Sequence, residues 1–109
     1  MKRKAPIVLD SAGNNNCVVV SCSTDNLFLI TVVVEGAKER YLIDAICVPA
    51  DKNGLKLLLS GGGIIKNNRK MTLYDEGDDS VRIEARMDDK VLSVLIKKDQ
   101  LKRLDVFLE

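Results

Sequence analysis

The sequence predicts an α+β domain in which an antiparallel sheet carries two helices on one side. Most of the chain reads as short β-branched strands separated by turn residues. Two amphipathic stretches each follow a strand after a short polar break, in YLIDAICVPADKNGLKLLL and in KVLSVLIKKDQLKRLDVFL, and the two segments lie about fifty residues apart. This repetition predicts two similar halves, each a run of strands followed by a helix.

The first half begins with a hairpin. Strands are predicted at Cys17–Thr24 and Leu27–Glu35, joined at Asp25-Asn26, a pair that tolerates the positive φ of a tight turn. Both strands are apolar on both faces. We therefore expect one face to meet the helices of the domain and the other to meet a second layer or another subunit.

A third strand, Tyr41–Val48, leads into the first helix. Pro49 suits a first helical turn, and Leu55, Leu58 and Leu59 form the apolar stripe before three glycines at 61–63 stop the helix. These glycines lack the pattern of a phosphate-binding loop and follow a helix instead of preceding one. We interpret them as a flexible connection.

The second half is predicted to contain strands at Lys70–Tyr74, Val81–Met87 and Val91–Ile96, with a turn at Asp88-Asp89 between the last two. The middle strand alternates between apolar and charged side chains, so it should have one wet face. Asp99 is the predicted cap of a last helix, whose apolar face would consist of Leu101, Leu104 and Leu108.

We expect one domain over residues 1–109. Residues 1–4 form a basic, frayed terminus, residues 5–60 the first half and residues 69–109 the second. No apolar run is long enough to span a membrane and no secretory signal is visible, so a cytoplasmic location without membrane contact is expected.

Composition argues against an enzyme. The chain has no histidine, which removes the most common general base and metal ligand. Its three cysteines, at 17, 22 and 47, are an odd number in apolar settings and are interpreted as reduced structural thiols buried in the core. The acidic cluster Asp75, Glu76, Asp78 and Asp79 lacks the ligand spacing of a calcium loop and is interpreted as a solvated turn. No metal or other cofactor is expected.

Three segments resemble the bacterial DNA sliding clamp family, the β subunit of the replicative polymerase. CVVVSCSTDNLFLITVVVEG resembles its central hairpin, AICVPADKNGLKLLLSG the strand that ends in Val-Pro-Ala and opens a helix, and LSVLIKKDQLKRLDVFL the strand and helix that normally open a clamp domain. Together they cover most of residues 5–109. The last segment comes first in the family, so the order of elements is cyclically shifted here.

The resemblance implies a non-enzymatic replication scaffold that contacts duplex DNA through basic helices without reading sequence. One chain would supply a single domain of a ring, so homo-oligomerisation through the apolar strands, or a protein partner, is implied as well. The basic residues that match the phosphate-contacting role are Lys52, Lys56, Lys97, Lys98, Lys102 and Arg103. For Lys97, Lys98, Lys102 and Arg103, which lie at the second helix, a solvated helix face with Asp99 paired to Arg103 is an equally good interpretation.

Two alternatives stay open. A dimeric single-strand-binding module would use Arg82 and Arg86 on the wet face of the predicted middle strand. The scarcity of aromatic residues, which provide stacking platforms in such proteins, argues against it. A small inhibitor or immunity-type protein would instead act through shape and an exposed apolar sheet edge.

Overall fold

Two antiparallel sheets and short helical segments make up the fold. The computed structural model describes residues 5–11, 13–23, 25–59 and 69–108. In these ranges the strands are β1 (Ile7–Asp10), β2 (Cys17–Cys22), β3 (Leu27–Glu35), β4 (Arg40–Pro49), β5 (Arg69–Gly77), β6 (Ser80–Met87) and β7 (Lys90–Lys97). The helices are α1 (Lys52–Leu59), α2 (Lys98–Leu101) and a C-terminal 3₁₀ helix (Lys102–Leu108).

The α+β class predicted from sequence is confirmed, but the strands divide into two sheets where one was expected. The first sheet has the order β1-β2-β3-β4 and the second β5-β6-β7, with every neighbouring pair antiparallel. Each sheet buries one face, and the two buried faces meet in a single apolar core. Helices were expected on one face of the first sheet and a second layer or subunit on the other. The second sheet and the helical segments instead cover the same face, and Val8, Leu29 and Leu42 on the other face are exposed. The short edge strand β1 was not predicted.

The predicted hairpin turns are confirmed. Asn26 has a φ of 60° between β2 and β3, and Asp88 a φ of 54° between β6 and β7. The hydroxyl of Ser23 accepts hydrogen bonds from the main-chain N–H groups of Asp25 (3.3 Å) and Leu27 (3.2 Å), which closes the first turn. These short connections keep successive strands adjacent, so each run forms a meander.

The start of α1 differs from the prediction. Pro49 is the last residue of β4 and not part of the helix. Asp51 precedes the helix and accepts a hydrogen bond from the N–H of Gly54 at 2.9 Å, which is N-cap geometry. A Cβ on Gly54 would lie 1.5 Å from the carbonyl oxygen of Pro49, so only glycine lets the helix turn back onto the strand that it leaves. The three glycines at 61–63 lie outside the described residues, as do residues 1–4.

The last helix is also different, because α2 completes only one turn before the chain tightens into the 3₁₀ helix. The predicted Asp99 cap is wrong: Lys97 occupies the N-cap position and its side chain makes no capping bond. The N–H of Lys98 instead donates to the carbonyl of Asp79 in the β5–β6 turn at 2.8 Å. Because β7 runs directly into the helix, a backbone group of the neighbouring turn takes the place of a side-chain cap.

Both helical segments contribute to the core between the sheets. Leu55 of α1 is buried, and so are Leu104 and Phe107 of the 3₁₀ helix. The ring of Phe107 meets that of Phe28 on β3 edge to face, with centroids 5.1 Å apart. The side chains of Leu58, Leu59 and Leu108, which complete the predicted stripes, lie outside the described part of the chain.

Candidate interaction surfaces

The basic residues predicted on the first helix are exposed. Lys52 lies in the first turn of α1 and Lys56 in its last turn. Among the described residues neither takes part in an ion pair, and the same holds for the exposed Lys97 at the end of β7. Within the described residues, no carboxylate is therefore paired with these three ammonium groups.

The basic residues of the last helix have partners. Lys98 Nζ lies 3.2 Å from Asp75 Oδ2, and Lys102 Nζ lies 4.0 Å from Asp99 Oδ1. The N–H of Gly77, followed by the ammonium of Lys98, holds the pKa of the Asp75 carboxyl below its usual value. The acidic turn thus neutralises part of the basic cluster that follows β7.

Arg103 acts within the fold. Its Nη1 donates to the main-chain carbonyl of Val8 on β1 and to Gln100 Oε1, the latter at 3.0 Å. The i,i+4 pair of Asp99 with Arg103 that the sequence suggested does not form, because the guanidinium is directed towards the edge of the first sheet. This arrangement ties the C-terminal helix to β1.

Arg82 and Arg86 lie on the outer side of β6, as the alternation predicted. Arg82 Nε donates to Glu76 Oε1 at 2.6 Å, and its guanidinium lies 4.4 Å from the centre of the Tyr74 ring. Glu84 bridges the two arginines at 3.2 and 3.4 Å. The hydrogen bond to Glu76 raises the pKa of Arg82. Both guanidinium groups are therefore already engaged in a surface network.

These arginines belong to a larger surface, which we call the second-sheet outer face. Its large apolar members are Tyr74, Val91 and Leu95, which are 39%, 44% and 48% exposed. Its charged members are Lys70, Arg82, Arg86 and Lys97 against Glu76 and Glu84. Within the described part of the chain, four basic side chains and two carboxylates leave an excess of two positive charges on this face.

The opposite surface, the first-sheet outer face, combines apolar side chains with carboxylates. Val8, Leu29 and Leu42 are 39%, 40% and 51% exposed, and Cys17, Val19 and Val33 lie among them by strand register. The charged members are Asp10, Glu35 and Asp44 against Arg40. Counted over the described residues alone, three carboxylates and one guanidinium leave an excess of two negative charges on this face.

Partial burial and the charges of this face shift the pKa of the Cys17 thiol. Partial burial, then the charges of Asp10 and Glu35, raise the pKa of its thiol, and Arg40 opposes them. Strand register brings these charges close to Cys17. Asp10 on β1 pairs with Cys17, and Cys17 pairs with Val33 on β3. Glu35, two residues after Val33, pairs with Arg40 on β4. Cys17 and Cys22 are free thiols, and the predicted burial is confirmed for Cys22 but wrong for Cys17, which lies half-buried on this outer face because its position in β2 points away from the core. The side chain of Cys47 lies outside the described part.

The gap that the described residues leave between the sheets is small. An apolar gap of about 20 Å³ is lined by Leu9, Val18, Val20, Ile30, Met71, Leu73, Ile83, Leu101 and Leu104. This is about the volume that one water molecule needs, whereas small-molecule pockets measure hundreds of Å³. Within the described ranges, no group of three or more cysteine or acidic side chains is placed to hold a metal ion. Likewise, no helix in those ranges is both long and apolar enough to cross a membrane.

Comparisons with protein-family models, curated proteins and solved structures found no match to this chain.

The sequence indicates each of these surfaces in part, the second through the alternation of β6, which places Arg82 and Arg86 on its outer side. The doubly apolar pattern of β2 and β3 was the signal for the first-sheet outer face. Its acidic character was missed, because Asp10, Glu35 and Asp44 lie far apart in sequence and only strand pairing brings them to one surface. The placement of Arg82 over Tyr74 was missed for the same reason.

Proposed function

We propose that this protein is a non-enzymatic scaffold that binds another protein through its first-sheet outer face. The observation that carries the proposal is the exposure of Val8, Leu29 and Leu42 on a sheet whose other face is already buried in the core. Burying the part of each side chain that is still exposed, 39–51% of it, is worth about 1 kcal/mol. Clustered apolar residues with a polar rim are typical of protein interaction sites.

The free thiols support a reducing compartment, and the cytoplasm is the location we propose.

The test is site-specific crosslinking in cells. A photo-crosslinking amino acid replaces Leu42 in one variant and Leu57 in a control variant. Leu57 is a good control because it is 41% exposed on α1 and belongs to neither outer face. We expect a discrete crosslinked species from position 42 and none from position 57. Equal yields at the two positions, or no product at position 42, would overturn the proposal.

Contact with duplex DNA is the second candidate function, in keeping with the resemblance to sliding clamps. The supporting observation is that Lys52, Lys56 and Lys97 are exposed and take part in no ion pair within the described chain. Ammonium groups of this kind bind phosphates without regard to base sequence, and each contact releases counterions. A clamp-like role would place the protein at replicating DNA.

Fluorescence anisotropy with a labelled duplex tests this candidate. We expect affinity that falls steeply with salt, and Lys56→Glu should weaken binding and reduce the logarithmic salt slope by about 1. Lys38→Glu is the matched control, because Lys38 is exposed in the β3–β4 connection and lies outside the predicted DNA contacts. Equal losses in the two variants would contradict contact through α1. A preference for single strands, lost in Arg86→Glu, would favour the alternative at Arg82 and Arg86.

A further inference from the structure

The two outer faces of the molecule are complementary to each other. Each carries three exposed large apolar side chains, and their charge excesses are equal and opposite, negative on the first sheet and positive on the second. We infer that the protein bound by the first-sheet outer face is a second copy of this chain, docked through its second-sheet outer face. This inference rests on the proposed function and names its partner.

The positions of the two faces allow such a contact to repeat. The inner faces of both sheets share one core, so the outer faces point in opposite directions. α1 and the 3₁₀ helix insert Leu55, Leu104 and Phe107 into that core, while the apolar residues of both outer faces stay exposed. A copy docked on one face therefore leaves the opposite face of the same molecule free for another copy.

The charges select this pairing over the two symmetric ones. Two first-sheet outer faces would bring Asp10, Glu35 and Asp44 of one molecule against the same carboxylates of the other. Two second-sheet outer faces would oppose Lys70 and Lys97 in the same way. Like charges facing each other across an interface are unfavourable, whereas the mixed pairing places positive groups against negative ones.

The area of the faces sets the strength of the contact. From ordinary strand spacing, three or four strands of this length cover about 15–20 Å by 20–25 Å, or about 400 Å² for each face. The interface would bury about 800 Å² in total, which is less than stable dimers bury. Association should therefore be weak and depend strongly on protein concentration.

Because different faces meet, the contact is heterologous. Such a contact generates a ring when its rotation closes and a filament when it does not. The exposed apolar side chains and the opposite charges lie on the faces of the sheets, so the assembly would be held together face to face. At the edge strand β1, α2 and the side chain of Arg103 also stand in the way of strand pairing. Sheet stacking, and not strand pairing, is the expected geometry.

Sedimentation velocity of the purified chain from about 10 μM to about 1 mM tests the inference. We expect the weight-average mass to rise with concentration. The association constant should fall by about tenfold or more when the salt concentration is raised from about 50 mM to about 0.5 M, because rim charges are screened. Leu42→Lys disables the first-sheet outer face, and the double change of Val91→Ser with Leu95→Ser disables the second. Each variant alone should be monomeric, with circular dichroism as the check on folding.

Mixing the two variants gives the decisive result. Each retains one intact face, so an equimolar mixture should form 1:1 dimers and nothing larger. A mixture that stays monomeric, a single variant that still dimerises, or a wild type that is monomeric throughout would each overturn the inference. Leu57→Lys should associate like the wild type.

The crosslinking at position 42 separates this inference from the proposed function. A crosslinked species of twice the chain mass supports self-association. A species of any other mass, together with monomeric sedimentation, leaves the scaffold function standing and overturns only the choice of partner. No crosslinked species at position 42 overturns both.

Discussion

Arg103 donates a hydrogen bond to the main-chain carbonyl of Val8, 95 positions away in the chain. β1 is an edge strand, and the outward carbonyls of an edge strand have no neighbouring strand to bind them. The bond therefore holds the C-terminal helix against the edge of the first sheet. An isolated bridge between Ser11 and Ile96 joins β1 to β7 in the same region.

Replacing Arg103 should loosen β1. We expect Arg103→Ala to lower the free energy of unfolding by about 1 kcal/mol and to speed amide hydrogen exchange in Ile7–Asp10. Arg103→Lys retains a hydrogen-bond donor, so its unfolding free energy and its exchange rate in β1 should lie between those of the wild type and of Arg103→Ala. Hydrogen exchange followed by mass spectrometry makes the measurement. Unchanged exchange in β1 would show that the bond does not hold the strand.

Gly54 should not tolerate a side chain. A methyl group would collide with the carbonyl oxygen of Pro49, so Gly54→Ala should lower the free energy of unfolding by about 3 kcal/mol despite the higher helix propensity of alanine. Asn53→Ala is the control at the neighbouring, exposed position of α1 and should be neutral or stabilising by about 0.5 kcal/mol. Urea unfolding of both variants gives the values. Equal stability of the two would mean that α1 shifts to accept the methyl group.

Asn26 should be replaceable by glycine but not by a β-branched residue. Its φ of 60° lies in the left-handed region, which glycine adopts freely and valine does not. Asn26→Val should cost about 1–2 kcal/mol in unfolding free energy, whereas Asn26→Gly should be close to neutral. Thermal unfolding monitored by circular dichroism distinguishes them. Similar melting temperatures would contradict the strained geometry of this turn.

Asp75 should make folding sensitive to acid. Its pKa in the folded state is lower than the value of 3.8 for an unperturbed side chain. The stability that it contributes is therefore present above pH 3.8 and is lost as the pH falls through the folded pKa. Asp75→Asn should be less stable than the wild type at neutral pH but show a smaller further loss on acidification. Urea unfolding across this pH range is the measurement, and parallel curves would exclude a contribution from Asp75.

Most strands and turns could be predicted from residues that are close together in the sequence. The alternation in β6 and the turn pairs Asp25-Asn26 and Asp88-Asp89 act over a few residues, and all three are confirmed. Features that depend on distant contacts were less predictable. The cap of α2 is a backbone carbonyl from another turn, and the guanidinium of Arg103 reaches β1 instead of Asp99. No residue pattern near Asp99 could have indicated either contact.

The sequence alone determined the α+β class, the hairpins and the surplus of apolar residues on β2 and β3, because strand and turn preferences are local. Tertiary structure decided that the strands form two sheets, that Gly54 is needed for a close approach and that each outer face has an excess of one sign of charge among the described residues. The reason is strand register, which sets residues from separate strands side by side. Asp10, Glu35 and Asp44 form one acidic surface only after β1 to β4 have paired.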